Sequence, residues 1–311
     1  MHCNNQIRTI CRVVHENRAP EISTVNLTVD IQQRRIIFMK TIKYLTVFCM
    51  MICMIMQLNI NVSANENNIC YVAHRGYTKY APENSIPAFE AAGKEGFQAV
   101  ECDIHETAKD KKGKRRFVIM HDQTLNRMCG LSGKNIYQKK LTYQKIRSKY
   151  HIKTGNNIES YTKKQLRIPS LEEYLNICKR YHMKPVIEIK QKMKKDTIKR
   201  LYQSLKKAKM QNQAVVTCKY KQQLTYMRKY ARKMPLEYVR HDFTQNDLSW
   251  MKKYHINVSI NKNILSDDMI QLFERNNIKI NIWTINNKDQ LYNFTNKGIK
   301  IVTSDDALWK E

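Results

Sequence analysis

From residue 168 onward the chain repeats one pattern, and that pattern restricts the fold more than anything else in it. A short apolar run rich in β-branched residues is followed by a longer stretch with apolar residues at helical spacing. The runs fall at 185–190, 213–218, 236–239, 256–260, 278–285 and 299–303. Helical stretches are expected between them, over 194–209, 220–232, 245–253, 266–276 and 287–296. Successive strands joined by a helix run parallel, because an antiparallel pair needs only a tight turn.

The same unit opens the chain. Tyr71-Val72-Ala73 reads as a strand ending at His74, with Gly76 allowing a tight turn beyond it. Ser85 is placed to cap a helix over 86–95, with Pro87 tolerated in its first turn and Gly96 to stop it. Residues 97–103 form the next strand. Only 13 residues separate Asp103 from Phe117, with a turn signal around Asp110 and Gly113, so 117–121 is the return arm of a hairpin. Residues 123–169 are polar, basic and weakly patterned, and are expected to form an insertion over the mouth of the domain with a short helix near 142–149. Ser170 and Glu173 then fit a capping box before the apolar stripe Leu171, Tyr174, Leu175 and Cys178. Leaving out the hairpin arm, eight strands alternate with helices. The expected fold is an α/β (β/α)8 TIM barrel with a β-hairpin arm and an insertion over the C-terminal mouth.

The 311-residue chain has 55 Lys and Arg against 27 Asp and Glu, a net charge of +28. Such a field draws anions: nucleic acid, anionic lipid headgroups, polyphosphate polymers or small phosphate esters. The absence of zinc-finger spacing and of an RNP-type aromatic run disfavours nucleic acid. Nine cysteines at irregular spacing, with no CxxC pair, argue against a disulfide framework and a thiolate zinc site. Nothing in the sequence sets the oligomeric state.

The N-terminal part reads as a leader. Met39-Lys40-Thr41-Ile42-Lys43 is a basic start, 44–56 is a 13-residue apolar core, and Val62-Ser63-Ala64 offers a cleavage site. The core is shorter than the roughly 20 residues of a bilayer span, which favours a signal peptide over a membrane anchor. The expected organisation is an over-called extension at 1–38, a signal peptide or anchor at 39–64, and a barrel domain at 68–311 containing the 123–169 insertion. The protein is then exported, and is secreted or held at the membrane or cell wall. Five cysteines would be exported, an odd number, so at least one would stay a free thiol.

In such a barrel the working residues stand at the C-terminal ends of the strands. Here the first strand ends at His74 and Arg75, and the second at Glu101 and Asp103. The third ends at Glu188 and Lys190, and the seventh at Trp283. Alternate residues of a strand share a face, so Glu101 and Asp103 point together into the mouth, as do Glu188 and Lys190. Three carboxylates stay ionised together most easily around a cation, and an all-oxygen set suits calcium or magnesium. Arg75 and Lys190 are suited to hold phosphate oxygens, and His74 and His121 to act as general acid and base. Taken singly, a strand-end histidine is more often structural, Glu-x-Asp is common, and a strand tryptophan is ordinarily core. The weight lies in four strand ends carrying these residues in order.

These motifs together resemble the glycerophosphodiester phosphodiesterase family over about 70–308. They are His74-Arg75-Gly76, Pro82-Glu83-Asn84-Ser85, Glu101-x-Asp103, His121-Asp122, Ile168-Pro169-Ser170-Leu171-Glu172-Glu173, Glu188-Ile189-Lys190, Trp283-Thr284-Ile285-Asn286 and Thr303-Ser304-Asp305. The resemblance implies a barrel related to phosphatidylinositol-specific phospholipase C. It implies metal-dependent hydrolysis of a glycerophosphodiester to glycerol 3-phosphate and an alcohol. His74 and His121 match the catalytic pair, and Glu101, Asp103 and Glu188 the ligands of one divalent cation, Ca2+ or Mg2+. Arg75 and Lys190 match phosphate contacts, and Trp283 is the candidate for the substrate pocket. Ser85 stands where the family usually has Thr. The 104–116 loop is longer and more basic than usual and is expected to border the site. The alternatives are an exported phosphodiesterase acting on lysophospholipid or glycerol-phosphate wall polymer, and a catalytically dead barrel that binds polyanions at the surface. N-terminal sequencing of the intact precursor is expected to begin at Met39, and a start at Met1 would contradict the over-called extension.

Overall fold

The computed structural model describes residues 34–50 and 69–310. Residues 34–50 form a helix, α1, unbroken across Met39. The rest of the expected extension and leader, including the cleavage site, lies outside the described residues. Among the described residues no helix is long and apolar enough to cross a membrane.

The expected strands all form in the remaining unit. They are β1 (Cys70–Ala73), β2 (Ala99–Glu106), β3 (Phe117–Ile119), β4 (Lys184–Ile189) and β5 (Val215–Cys218), then β6 (Leu236–Arg240), β7 (Asn257–Asn261), β8 (Ile280–Trp283) and β9 (Ile301–Ser304). They pair in the order β1-β9-β8-β7-β6-β5-β4-β2, and β1 also pairs with β2. That last pairing closes eight parallel strands into a barrel. β3 alone is antiparallel, hung outside β2 with Ile104 opposite Ile119, as the short connection requires.

Most of the helices of this unit start at a side-chain cap. The Ser85 hydroxyl accepts from the Ala88 amide at 3.1 Å to open α2 (Ile86–Glu95). Ser170 and Glu173 form a complete capping box on α4 (Leu171–Arg180), with α3 (Tyr143–Lys149) before it in the insertion. The outer ring continues with α5 (Lys195–Lys207), α6 (Lys221–Tyr230), α7 (Gln245–Tyr254), α8 (Asp267–Arg275) and α9 (Lys288–Asn296). Of these, α5 and α6 start without a side-chain cap. The apolar faces of the helices and the strands share one large core. The six cysteines among the described residues are free thiols, and four of them, including Cys102, are buried.

The insertion has a core of its own. Leu125, Met128, Ile146, Ile152 and Ile168 pack beneath Val118 and Met120 of the hairpin arm. Two contacts set its position. Arg147 grips Glu173 through both carboxylate oxygens at 2.9 and 2.7 Å. Asn156 and Asn157 donate to the Thr78 and Tyr80 carbonyls, both at 2.8 Å. The insertion therefore stands against the loop that follows β1.

One buried side chain holds the two strands that carry the carboxylates. The Lys184 and Lys190 amides donate to the Gln98 and Ile104 carbonyls, so the even-numbered residues of β4 face β2 and the Val186 amide is turned toward the Val100 carbonyl. The fully buried Tyr174 hydroxyl bridges these two groups, donating to the Val100 carbonyl at 2.6 Å and accepting from the Val186 amide at 3.1 Å. Tyr174→Phe removes both of these bonds from the core. It is expected to cost about 1–3 kcal/mol, measured by urea denaturation, and an unchanged midpoint would contradict this role.

Candidate active site

The site is assembled by register. Asp103 of β2 lies directly opposite Glu188 of β4. Side-chain alternation then brings Glu101 to the same face as Asp103, and Lys190 to that of Glu188. One carboxylate oxygen from each of Glu101, Asp103 and Glu188 lies within 4.8 Å of the others.

The loop after β1 closes over this cluster through an unusual backbone. Arg75 and Asn84 both sit in the left-handed region, at φ 56° and 53°. Arg75 is held there because its amide donates to Glu101 Oε2 at 2.9 Å and its carbonyl accepts from the Asn84 amide at 2.8 Å. Gly76 follows at φ 89°, where a Cβ would lie 2.6 Å from that of Ala88, so only glycine lets the loop meet α2.

Asp103 is the best-satisfied acid. It accepts from Asn84 Nδ2 at 2.7 Å and faces Lys190 Nζ at 3.3 Å and Arg75 Nε at 3.6 Å. Burial works against ionisation, but Lys190 and Arg75 outweigh it and hold the carboxyl down at about 2. Glu101 and Glu188 are pushed the other way, first by burial and then by the Asp103 charge. Glu188 keeps a 3.0 Å bond from Lys190, while Glu101 Oε1 is buried with no partner. An unpartnered buried carboxylate oxygen facing two other carboxylates is a costly arrangement for protein alone. It fits a hard divalent cation, so the donor set matches the metal expected of it.

Two histidines stand over the cluster, each oriented by an aspartate. His74 Nδ1 is 2.8 Å from Asp305 Oδ1. Asp305 is fixed in turn by Thr78 Oγ1 at 2.8 Å and Asn286 Nδ2 at 2.7 Å. Burial raises its carboxyl, but the bonds from His74, Asn286 and Thr78 bring it down to about 2. His121 Nδ1 is 2.9 Å from Asp122 Oδ1. Asp122 is clamped by Arg127 through Nε at 2.7 Å and Nη2 at 3.0 Å. Arg127 also bonds Glu83 at 2.7 Å, and Glu83 bonds Arg75 at 3.2 Å. A chain of ion pairs thus joins the two loops that carry the histidines. Burial holds His121 below its usual range.

A cavity of about 470 Å3 lies between these groups. His74, Arg75, Glu101, His121, Glu188 and Lys190 line it, and Trp283 forms part of its wall. Asp103 sits behind them, almost fully buried. All eight residues singled out in the sequence are therefore brought to one place. Trp283 packs edge-on against His241 at 4.8 Å, with its indole Nε1 buried and unpartnered. The 104–116 loop departs from expectation. It folds back on itself through Asp110, whose amide donates to the Lys114 carbonyl at 2.8 Å. None of its residues lines the cavity, because β2 carries the chain three residues past Asp103 before the loop begins.

Sequence reasoning gave no role to Asp305, Asp122, Asn84 and the Glu83–Arg127 pair. Asp122 adjoins His121 and Asp305 follows the last residue of β9, so position at a strand end was the available signal. Lys219 and His241 also line the cavity, each one residue beyond a strand that the sequence does delimit.

The model of the Glycerophosphoryl diester phosphodiesterase family matches residues 74–308. Glycerophosphodiester phosphodiesterase 1 of Mus musculus is 29% identical over 131 residues, which are 42% of this chain and 37% of that protein. This chain thus matches well under half the length of the mouse relative. A glycerophosphodiester phosphodiesterase of Caldanaerobacter subterraneus is 22% identical over 246 residues, 76% of this chain and 93% of that one. In three dimensions the fold is similar to that of an Oleispira antarctica phosphodiesterase solved in complex with the product sn-glycerol-3-phosphate. The TM-score is 0.66 at 21% identity, over 76% of this chain and 92% of that one. Strand-end carboxylates, paired histidines and a family match that runs from the end of the first strand through the last lead to one conclusion: this chain belongs to the glycerophosphoryl diester phosphodiesterase family.

Proposed function

We propose that the chain hydrolyses glycerophosphodiesters to glycerol 3-phosphate and an alcohol, with one divalent cation, Ca2+ or Mg2+, held by Glu101, Asp103 and Glu188. The observation that carries this reading is the pair of Asp–His couples facing one cavity above a carboxylate cluster that includes a buried, unpartnered oxygen. When bound, the cation would supply Lewis-acid polarisation of the phosphate and balance the carboxylate charge.

The chain's own groups account for the rest. Each histidine spends Nδ1 on its aspartate, which leaves Nε2 for the reacting oxygens. One imidazole takes the proton of the attacking oxygen as the new P–O bond forms. The other gives a proton to the departing alkoxide as the old P–O bond breaks. The attacking oxygen is that of water or of the neighbouring glycerol hydroxyl, the latter through a cyclic phosphate that water then opens. The guanidinium of Arg75 and the ammonium of Lys190 hold the non-bridging phosphate oxygens.

A specific observation favours a longer substrate as the second reading. A cleft of about 820 Å3 runs beside the first cavity, shares His74 and Arg75 with it, and reaches Arg127, Thr154 and Asn156 of the insertion. That room suits a glycerol-phosphate polymer or lysophospholipid as well as a small diester. The basic leader at 39–64 supports export, which would place the enzyme among such substrates.

Release of glycerol 3-phosphate from glycerophosphocholine is expected with calcium or magnesium, to stop with chelator, and to return with added cation. His121→Ala is expected to lower kcat by roughly 100-fold or more. Full activity in His121→Ala would remove its assigned role. No turnover of small diester or polymer with either cation would favour the dead, polyanion-binding barrel.

A further inference from the structure

The barrel has a second large cavity at its other end. It measures about 980 Å3 and is lined by the first residues of seven of the eight barrel strands, among them Cys70, Ala99, Val215 and Ile301. The catalytic groups stand at the opposite ends of the same strands. Val72, Ala99 and Val186 form a buried apolar cluster here that is separate from the main core. Cys70, Val215 and Ile301 pack on it half-buried, and among the described residues no further layer of side chains plugs this end of the barrel.

The opening is basic. Lys184, Arg232, Lys233, Lys279, Lys297 and Lys300 line it, and all six are exposed. Lys297 reaches Asp267 at 2.8 Å, while the other five make no ion pair among the described residues. Two carboxyl groups line the cavity, Glu237 and Glu274. Glu237 is buried within it and accepts from Asn281 Nδ2 at 3.0 Å. Its position would repel an anion from the floor, while the rim attracts one.

An apolar basin with a cationic rim is the complement of one kind of molecule. We propose that this end of the barrel binds a single-chain anionic amphiphile, with its hydrocarbon tail on Cys70, Val215 and Ile301 and its headgroup among Lys184, Lys279 and Lys300. The size is that of a cavity holding a whole small ligand. Tail burial supplies affinity, and the rim sets the sign of the headgroup. The site lies apart from the phosphodiester cavity and holds whether or not the reading of that cavity is right. The two do share a boundary, since Val186 and Asn281 line both.

The test is calorimetric titration of the full chain with laurate below its micelle concentration, in the presence of saturating glycerol 3-phosphate. Saturable binding of one laurate per chain is expected, with dodecyltrimethylammonium at least tenfold weaker. Lys184→Glu/Lys279→Glu/Lys300→Glu, a surface change that leaves the core intact, should weaken laurate at least tenfold. Val215→Trp, which fills the basin, should abolish binding, with the melting temperature of each variant checked alongside. No saturable binding would overturn the proposal. So would equal affinity for the cationic amphiphile, loss of binding to glycerol 3-phosphate competition, or wild-type affinity in the folded triple variant.

Discussion

The structure depends on the mutual repulsion of three carboxylates. Glu101, Asp103 and Glu188 offer oxygens within 4.8 Å of one another in a nearly buried space. At an effective dielectric of about 20, two unit charges 4 Å apart repel by about 4 kcal/mol. Arg75 and Lys190 bring two positive charges against three negative ones, and Asp103 takes the larger share of them. Glu101 and Glu188 are left with raised affinity for protons. A divalent cation relieves that tension in one step, which is why the cluster reads as a metal site rather than as an ordinary buried ion-pair network.

The scaffold around the cluster is arranged to keep it from relaxing. The Tyr174 hydroxyl ties the Val100 carbonyl of β2 to the Val186 amide of β4, which supports the Asp103–Glu188 register from below. The Gly76 contact with Ala88 and the left-handed Arg75 and Asn84 press the first loop onto Glu101 and Asp103. The Glu83–Arg127–Asp122 chain then links that loop to His121 on the far side. Each histidine thus gains its orientation from a partner on a different segment or from the next residue in the chain, and neither depends on the cation for its position.

Much of this could be read in the sequence. Helix starts were legible because Ser85 and Ser170 act locally, through bonds spanning three residues. Strand alternation was legible because the barrel buries both faces of each strand, so apolar runs stand out. The paired directions of Glu101 with Asp103 and Glu188 with Lys190 followed from the period of two. The partners of the histidines were not legible in the same way. His74 meets Asp305 across 231 residues, and only barrel closure brings β1 beside β9. Tyr174 belongs to an apolar stripe in the sequence, and its hydroxyl acquires a function only once β2 and β4 lie side by side, with the Val100 carbonyl and the Val186 amide both in its reach. The 104–116 loop was misplaced because length and charge say nothing about which way a loop folds.

Thermal unfolding with and without calcium or magnesium, compared between the wild type and Glu101→Gln, tests the carboxylate cluster most directly. The cation should raise the wild-type melting temperature and leave that of Glu101→Gln unchanged. Without cation, Glu101→Gln should be at least as stable as the wild type, because it removes a repelling buried charge while its amide oxygen can still accept from the Arg75 amide. An equal rise in both proteins, or a marked loss of stability in the cation-free variant, would contradict this account.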